Sequence, residues 1–520
     1  MDKVIQSGFF DPQWYIDTYP DVASAGVQPL EHFVRFGSDE GRSPGPDFDS
    51  EWYLDQYPDV ASAGLIPLMH YIEYGAAEGR LPKGTTLHHG ALEAASRTLS
   101  TIVDCEPELL TSPQFDNLRK LVIHDGKAKG RVFQVLRQVI DSLSHAPNHV
   151  VFVPWLVHGG ADLAAVHAVR ALVETHGAES ALMIVSDHFR MDAREWLPKA
   201  TEVRVLSEFC QDLDFCDRVS LVELIIRALK PYNVLNVNSA AAWEVIKHKG
   251  RALSNQIDLF GMFFCRDYDV RDRPAGYADQ YFRECLPNLA RLYFDNSTFM
   301  HDLSEDYGVP QSLRKKLTVL KQPASLQTGI VTRQRRSRDS LKVLWAGRFT
   351  RQKNIDLLMR IIEMSPDVAF DIWGRGDDAE QQNLITWSER QSNVTLRGGF
   401  PSTAALPFVE YDAFLYTSLW DGIPTILIDV ASAGMPIVAS AVGGIVELVG
   451  DYRGYLIADH KNPQPYTDAL CQIRNYPADA QRRRDLMLRF VQQQHSWNAY
   501  RRALEVTPTF LGALPCLPIT

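Results

Sequence analysis

Apolar and polar positions along the 520-residue chain change texture twice. From residue 149 the apolar positions come as continuous runs, HVVFVPWLV, ALMIVSD, YNVLNVNS, IDLFGMFFC and ARLYFDN, separated by stretches of helical period such as ADLAAVHAVRALVETHG. A run apolar on both faces suits a strand covered on both sides, as in a parallel sheet. Its alternation with helices predicts an open α/β sheet. The pattern lapses at the basic, polar TGIVTRQRRSRDS, read as a solvated interdomain tether, with contact to acidic lipid headgroups as the alternative. It resumes as LKVLWAGR, NIDLLMRIIEM, VAFDIWG, YDAFLYTS, ILIDVASAG, PIVAS and GYLIA. Two such domains joined by a linker face a cleft, and ligands in these folds lie at the carboxyl ends of the strands.

Before residue 87 the pattern repeats itself. FFDPQWYIDTYPDVASAGVQPLEHFVRFGSDEGRSP, from Phe9, returns as DFDSEWYLDQYPDVASAGLIPLMHYIEYGAAEGRLP with a 38-residue period. Trp14/Trp52, Tyr15/Tyr53, Tyr19/Tyr57, His32/His70 and Arg42/Arg80 coincide. Each repeat predicts two short helices. Asp11-Pro12 or Asp49-Ser50 caps the first and Gly26 or Gly64 closes it; Pro29 or Pro67 opens the second and Gly37 or Gly75 ends it. The aromatics are expected to form the core of a small all-α module, with a carbohydrate-stacking surface as the alternative. The paired histidines are expected to be structural rather than metal-bound. The predicted boundaries are a repeat module over 1–86, a linker and helical segment over 87–146, Rossmann-like domains over 147–335 and 336–490, and a final helix and tail over 491–520.

Composition narrows the class without naming a reaction. Apolar residues make up 45% and charged residues 22%, ordinary for a globular protein, and a net charge of −11 argues against nucleic-acid binding. No apolar run reaches the roughly 18–20 residues of a membrane span, and the N-terminal MDKVIQSGFFDPQWYID does not read as a signal peptide. Seven scattered cysteines, Cys105, Cys210, Cys216, Cys265, Cys285, Cys471 and Cys516, suggest neither a zinc site nor a disulfide framework. The expected location is the cytoplasm, with peripheral contact at the inner face of the cytoplasmic membrane left open.

Chemistry concentrates in the second α/β domain. AGRFTRQKN puts Arg348 and Lys353 around a strand-to-helix turn, where two cations suit a diphosphate at roughly 1.5–3 kcal/mol per charge-assisted hydrogen bond. In TSLWDGIPTILIDVASAGMPIVASAVGGIVELV, Asp421-Gly422-Ile423 leads into Pro424, expected as the first residue of a helix, then Thr425. The free amides there can receive phosphate. Asp429 lies between Ile428 and Val430, poorly placed unless it meets a polar partner.

Together these segments resemble the C-terminal domain of the glycosyltransferase B (GT-B) fold, specifically family four of the retaining glycosyltransferases. AGRFTRQKN is similar to that family's Gly-Arg…Lys motif. SLWDGIPTILIDVASAGMPIVAS is similar to its segment of two glutamates with seven residues between them, VGGIVELV to its Gly-Gly-x-x-Glu-Leu turn, and HSWNAYRRAL to its final helix, which packs back across the first domain. The resemblance covers roughly 147–510. It implies that Arg348 and Lys353 hold the donor diphosphate, Asp421 the donor sugar and Asp429 the ribose. Gly422, Ile423, Pro424, Thr425 and Gly374 join the donor-binding set. Gly159 and Gly160 match the family's glycine-rich loop, and Gly443 and Gly444 would let backbone approach the ligand.

The chain departs from that pattern at both glutamates, each an aspartate here, and at a histidine of the first domain, where Cys265 and Arg266 stand. Arg266 is a candidate to replace its contact, and Asn238 completes the candidate list. The resemblance implies transfer of a sugar from a nucleotide-diphosphate sugar to a saccharide or lipid-linked saccharide acceptor with retention of configuration, requiring no metal or other cofactor. The rivals are an Asp267-Tyr268-Asp269 metal site on the other major glycosyltransferase fold, a GT-B-like epimerase or phosphorylase, and a silent scaffold. The repeats resemble those of bacterial polysaccharide-synthesis glycosyltransferases, pointing to O-antigen, capsule or exopolysaccharide, with contact to an assembly complex as a further expectation.

Overall fold

In a computed structural model the described residues are 2–78, 80–83, 130–209, 213–325, 340–376, 378–506 and 510–512. Most of the 87–146 linker, the 326–339 part of the basic tether, Cys105, Cys210, Cys516 and the end of the tail lie outside them. The chain divides into two compact units, Met1–Ser144 with Ser207–Ala228, and His145–Leu206 with Leu229–Thr520. Ser207–Ala228, expected within the first Rossmann-like domain, thus groups with the N-terminal unit. Among the described residues no helix is long and apolar enough to cross a membrane.

In the N-terminal unit each repeat closes on itself, Asp11 N–H donating to Pro44 O (3.1 Å) and Asp49 N–H to Pro82 O (2.9 Å). Asp11 and Asp49 cap Pro12–Thr18 and Ser50–Gln56 as expected. The expected first helix is two, however, because Pro20 and Pro58 cannot supply the N–H that continuation needs, and new helices begin there. The last helix, from Pro29 or Pro67, widens into a π-type turn ending at Gly37 or Gly75. Tyr15, Phe33, Phe48 and Tyr53 are almost wholly buried and form the core, while Phe36 and Tyr74 are exposed. The histidines are structural: Tyr15 OH lies 3.1 Å from His32 Nδ1 and Tyr53 OH 3.0 Å from His70 Nδ1. Arg42 and Arg80 clamp Asp21 and Asp59 through both guanidinium arms and lie over the Tyr19 and Tyr57 rings.

The second unit holds two parallel sheets. The first contains β1 (His149–Val153), β2 (Ala181–Val185), β3 (Glu202–Val205), β4 (Asn233–Val237), β5 (Asp258–Phe263), β6 (Arg291–Phe294) and β7 (Leu317–Val319), ordered β3-β2-β1-β4-β5-β6-β7. The second contains β8 (Leu341–Ala346), β9 (Val368–Trp373), β10 (Val394–Gly398), β11 (Ala413–Tyr416), β12 (Ile437–Ser440) and β13 (Tyr455–Ile457), ordered β10-β9-β8-β11-β12-β13. Every predicted strand is present. The three unpredicted ones, β3, β7 and β10, are edge strands with half-exposed side chains, so their sequences lack the continuous apolar run that marks an inner strand.

The chain passes between the α/β domains twice, and the crossings are bonded together. Ala324 N–H donates to His495 O (2.8 Å), and His495 Nδ1 lies 2.7 Å from Gln322 O. Gln322 Oε1 in turn lies 3.2 Å from Nδ1 of His167, on the helix after β1. Beyond His495 the Trp497–Glu505 helix packs on the first domain, where Trp497 Nε1 donates to Glu174 (2.9 Å).

A methyl group at position 75 would fall 2.3 Å from the Tyr53 hydroxyl, which is locked to His70. Gly75→Ala is therefore expected to destabilise the repeats by about 1–3 kcal/mol, read as faster amide exchange there in the full chain. Adding Tyr53→Phe, which removes the obstructing oxygen, should recover part of that loss; simple additivity of the two changes would refute this account.

Candidate active site

The carboxyl edge of the second sheet is built around a buried ion pair. β8 ends at Ala346, and the chain turns through Arg351–Lys353 to Asn354, whose left-handed backbone (φ 55°) an asparagine tolerates and whose side chain caps Ile355–Glu363. Lys353 Nζ then reaches Asp421 Oδ2 at 2.5 Å and also donates to Tyr416 OH. Tyr416 OH donates to the same Asp421 oxygen at 2.7 Å. Both charged side chains are 13% exposed. Burial, then the Asp421 charge, pushes the Tyr416 phenol well above its ordinary value, so it stays a donor. Thr417 Oγ1 donates to Lys353 O (2.7 Å) and receives Trp345 Nε1–H (3.1 Å), fastening the turn to the end of β11.

Arg348, five residues before Lys353, is exposed; burial raises the proton affinity of Asp162 and Asp267 in the first domain, and the Arg348 charge offsets part of that rise. From that domain the loop after β1 meets the Thr425–Ser432 helix: a Cβ at Gly160 would lie 3.6 Å from Thr425 Oγ1. Arg348, Lys353, Asp421, Gly159, Gly160 and Thr425 thus gather at one cleft. Pro424 is the residue preceding the Thr425–Ser432 helix rather than its first, because its ψ of 132° is extended.

Four of the glycines also make close approaches within the protein. A Cβ at Gly443 would lie 1.9 Å from Asp421 O, and one at Gly444 would meet Asn296 and Ile423. One at Gly422 would meet Asp295 and Phe264 O, and one at Gly374 would fall 2.0 Å from Gly347 O. All four let protein backbone approach protein.

Asp429 is buried; it accepts Ser325 N–H (2.7 Å) and the Thr403 hydroxyl. Arg266 lines the cleft, but its guanidinium is shared between Asp279 (3.0 Å) and Asp306 (2.8 Å). Asn238 follows β4 with φ 62°. The rival Asp267-Tyr268-Asp269 triplet lies in a turn where Asp269 accepts the Arg271 and Arg273 amides and the Arg273 side chain. A cavity of about 380 Å³ opens beside Asp421, walled by Cys265, Arg266, Trp420, Gly443 and Lys461.

Sequence reasoning missed Tyr416, Asp162 and Asp295. The available signal was position: Tyr416 and Asp295 stand at or just past the carboxyl end of an inner strand, where ligands lie in such folds. Asp295 is 4% exposed, accepts Ile423 N–H (2.7 Å) across the cleft, and is pushed up to about 8 by burial. Asp162 is pushed up to about 7, again by burial. Glu447 adds a second crossing contact, accepting Thr298 N–H (2.5 Å).

Residues 340–475 match the family of glycosyl transferases, group 1. The matched stretch carries Arg348, Lys353, Asp421 and Asp429. The GPI3 subunit of phosphatidylinositol N-acetylglucosaminyltransferase from Saccharomyces cerevisiae (strain YJM789) is 33% identical over 124 residues, 23% of this chain and 27% of the yeast protein. The O-antigen biosynthesis glycosyltransferase WbnH of Escherichia coli is 31% identical over 125 residues, 24% of this chain and 36% of WbnH. The chain therefore spans roughly a quarter to a third of the length of these curated relatives. The crystal structure of Anabaena Alr3699/HepE in complex with UDP and glucose superposes with a TM-score of 0.54 at 13% identity, over 69% of this chain and 99% of that one. The likeness is one of architecture, and the second unit has the GT-B fold.

Asp295 makes stability depend on pH. Its folded value of about 8 exceeds the unfolded value, so between about pH 4 and about pH 8 the folded chain holds a proton that the unfolded chain has released. Its contribution to stability therefore falls as pH rises through that window and is flat above it. Asp295→Asn should narrow the difference in urea midpoint between about pH 5 and about pH 9; an unchanged difference would mean that Asp295 does not carry this proton.

Proposed function

We propose that this chain moves a sugar from a nucleotide-diphosphate sugar to a saccharide or lipid-linked saccharide acceptor, with retention of configuration. The setting we infer is the cytoplasmic assembly of a bacterial surface polysaccharide such as an O-antigen, capsule or exopolysaccharide. The observation that carries the reading is the Lys353–Asp421–Tyr416 cluster, inside the stretch that matches the group 1 family, a few residues from Thr425, which lies against Gly160 of the first domain. The O-antigen role in the name of WbnH and the UDP bound by HepE support the pathway and the kind of donor.

In this scheme the bond between the anomeric carbon and the diphosphate breaks while the acceptor oxygen attacks from the same face. The acceptor proton passes to the departing diphosphate. Arg348, Lys353 and the free amides at the start of Thr425–Ser432 take up the charge that develops there, without a metal. Lys353 exchanges Asp421 for a phosphate oxygen, which frees that carboxylate for a donor-sugar hydroxyl. Asp429 reaches the ribose by releasing Thr403. The engagement of both Asp429 oxygens favours one other reading, a scaffold that keeps the fold without turnover.

Binding and slow hydrolysis across a panel of UDP-, GDP-, dTDP- and ADP-sugars test both readings. One donor is expected to bind, and Lys353→Ala to weaken it about tenfold to hundredfold, the loss of one charge-assisted hydrogen bond. A folded wild type that binds none of them would favour the scaffold.

A further inference from the structure

The repeats carry a surface feature that their core does not need. Phe36 and Tyr74, which hold the same position in the two repeats, are 55% and 57% exposed. Each sits in a π-type turn, Phe33–Gly37 or Tyr71–Gly75, and turns of this kind are frequent at functional sites. Both rings are held alike. Phe36 lies against His32 and Tyr74 against His70, with ring centres 5.8 Å apart in each case, and each histidine is fixed by a buried tyrosine. A ring backed by a side chain that the core holds in place loses little freedom when it binds.

An ion pair stands beside each ring. In the first repeat Arg35 Nη1 lies 2.9 Å from Glu31 Oε1, one turn earlier, next to the His32–Phe36 pair on the same helical surface. In the second repeat the position of Arg35 is taken by Glu73, and Lys3 from the N-terminal helix supplies the cation at 2.7 Å. The charge at this position is thus reversed between the repeats, yet a ring beside an exposed cation–carboxylate pair is kept. At Tyr74 these groups wall a surface cavity of about 550 Å³ together with Ser7 and Ile72.

Ring, donor and acceptor together suit a sugar, whose C–H face packs on an aromatic and whose hydroxyls both give and accept hydrogen bonds. Each ring stands among charged side chains, a point contact rather than the roughly 800 Å² that a protein partner covers on each side. Residues 1–86 hold fourteen Asp and Glu against five Lys and Arg, a balance that repels an anionic polymer or lipid surface. We propose that the repeats are a glycan-binding module, in which Phe36 and Tyr74 each stack one sugar ring of a neutral polysaccharide and the neighbouring ion pairs take its hydroxyls. Two such contacts on one polymer chain reinforce each other, which gives the duplication a use. This site lies in the repeats and does not rest on the transferase reading above.

Affinity electrophoresis of the full chain tests this, in gels containing dextran, mannan or galactomannan, with polygalacturonate as the acidic contrast. Binding of the nucleotide-sugar panel is measured in parallel. At least one neutral polysaccharide should retard wild type, and polygalacturonate should not. Phe36→Ala and Tyr74→Ala should each weaken the retardation several-fold, and the double variant at least tenfold, with donor binding at the wild-type level. Phe36→Tyr and Tyr74→Phe, which keep a ring, should be retarded as wild type is. The proposal is overturned if no neutral polysaccharide retards wild type, if polygalacturonate alone does, or if the double variant is retarded as strongly. Retardation of a wild type that binds no donor would uphold the glycan module and remove the transferase reading instead.

Discussion

The cleft depends on how the two α/β domains are joined, and a buried knot of hydrogen bonds around Gln322 is one of the joints that hold them, beside Asp295–Ile423 and Glu447–Thr298. The Gln322 backbone carbonyl lies 2.7 Å from His495 Nδ1 on the returning crossing, and its side chain meets His167 of the first domain. Burial pulls both imidazoles down to about 4, so each is neutral at ordinary pH, as a buried ring in a hydrogen-bonded joint should be. Three residues past Gln322, the Ser325 amide donates to Asp429, tying the joint to the helix that begins at Thr425. The joint between the domains and the Thr425–Ser432 helix thus share one hydrogen-bonded chain.

The same economy governs the charges. Lys353 and Asp421 are both largely out of water, a costly arrangement unless each finds a partner. They find one another and Tyr416, and the triad holds its shape across two strand ends. A cation held desolvated and oriented in this way is placed where electrostatic stabilisation is strongest. Asp295 shows the opposite solution. With a backbone amide and Asn296 as its partners in place of a cation, burial raises its proton affinity.

Fold class was legible because inner parallel strands must be apolar on both faces, which leaves a mark in one dimension. Edge strands escape that demand, and β3, β7 and β10 were unreadable for that reason. Arg348, Lys353 and Asp421 stood out as charged residues at the ends of apolar runs, and the structure brings them to the cleft. Tyr416 and Asp295 did not, because a phenol or a lone carboxyl after a strand carries no local signature. Their roles come from partners 63 and 128 residues away.

By itself the sequence determined the two α/β series and the repeat with its capping residues, since each follows from local propensity or periodicity, while the resemblance of its motifs singled out Arg348, Lys353, Asp421 and Asp429. Only the tertiary structure decided what those residues touch. It placed Asp429 against Ser325 and Thr403, gave Arg266 to Asp279 and Asp306, and brought Gly443 against Asp421 O and Gly374 against Gly347 O. The reason is physical. A buried charge or polar group takes whichever complementary partner the packed chain brings within about 3 Å, and that partner is set by the meeting of distant segments, which spacing along the chain does not encode.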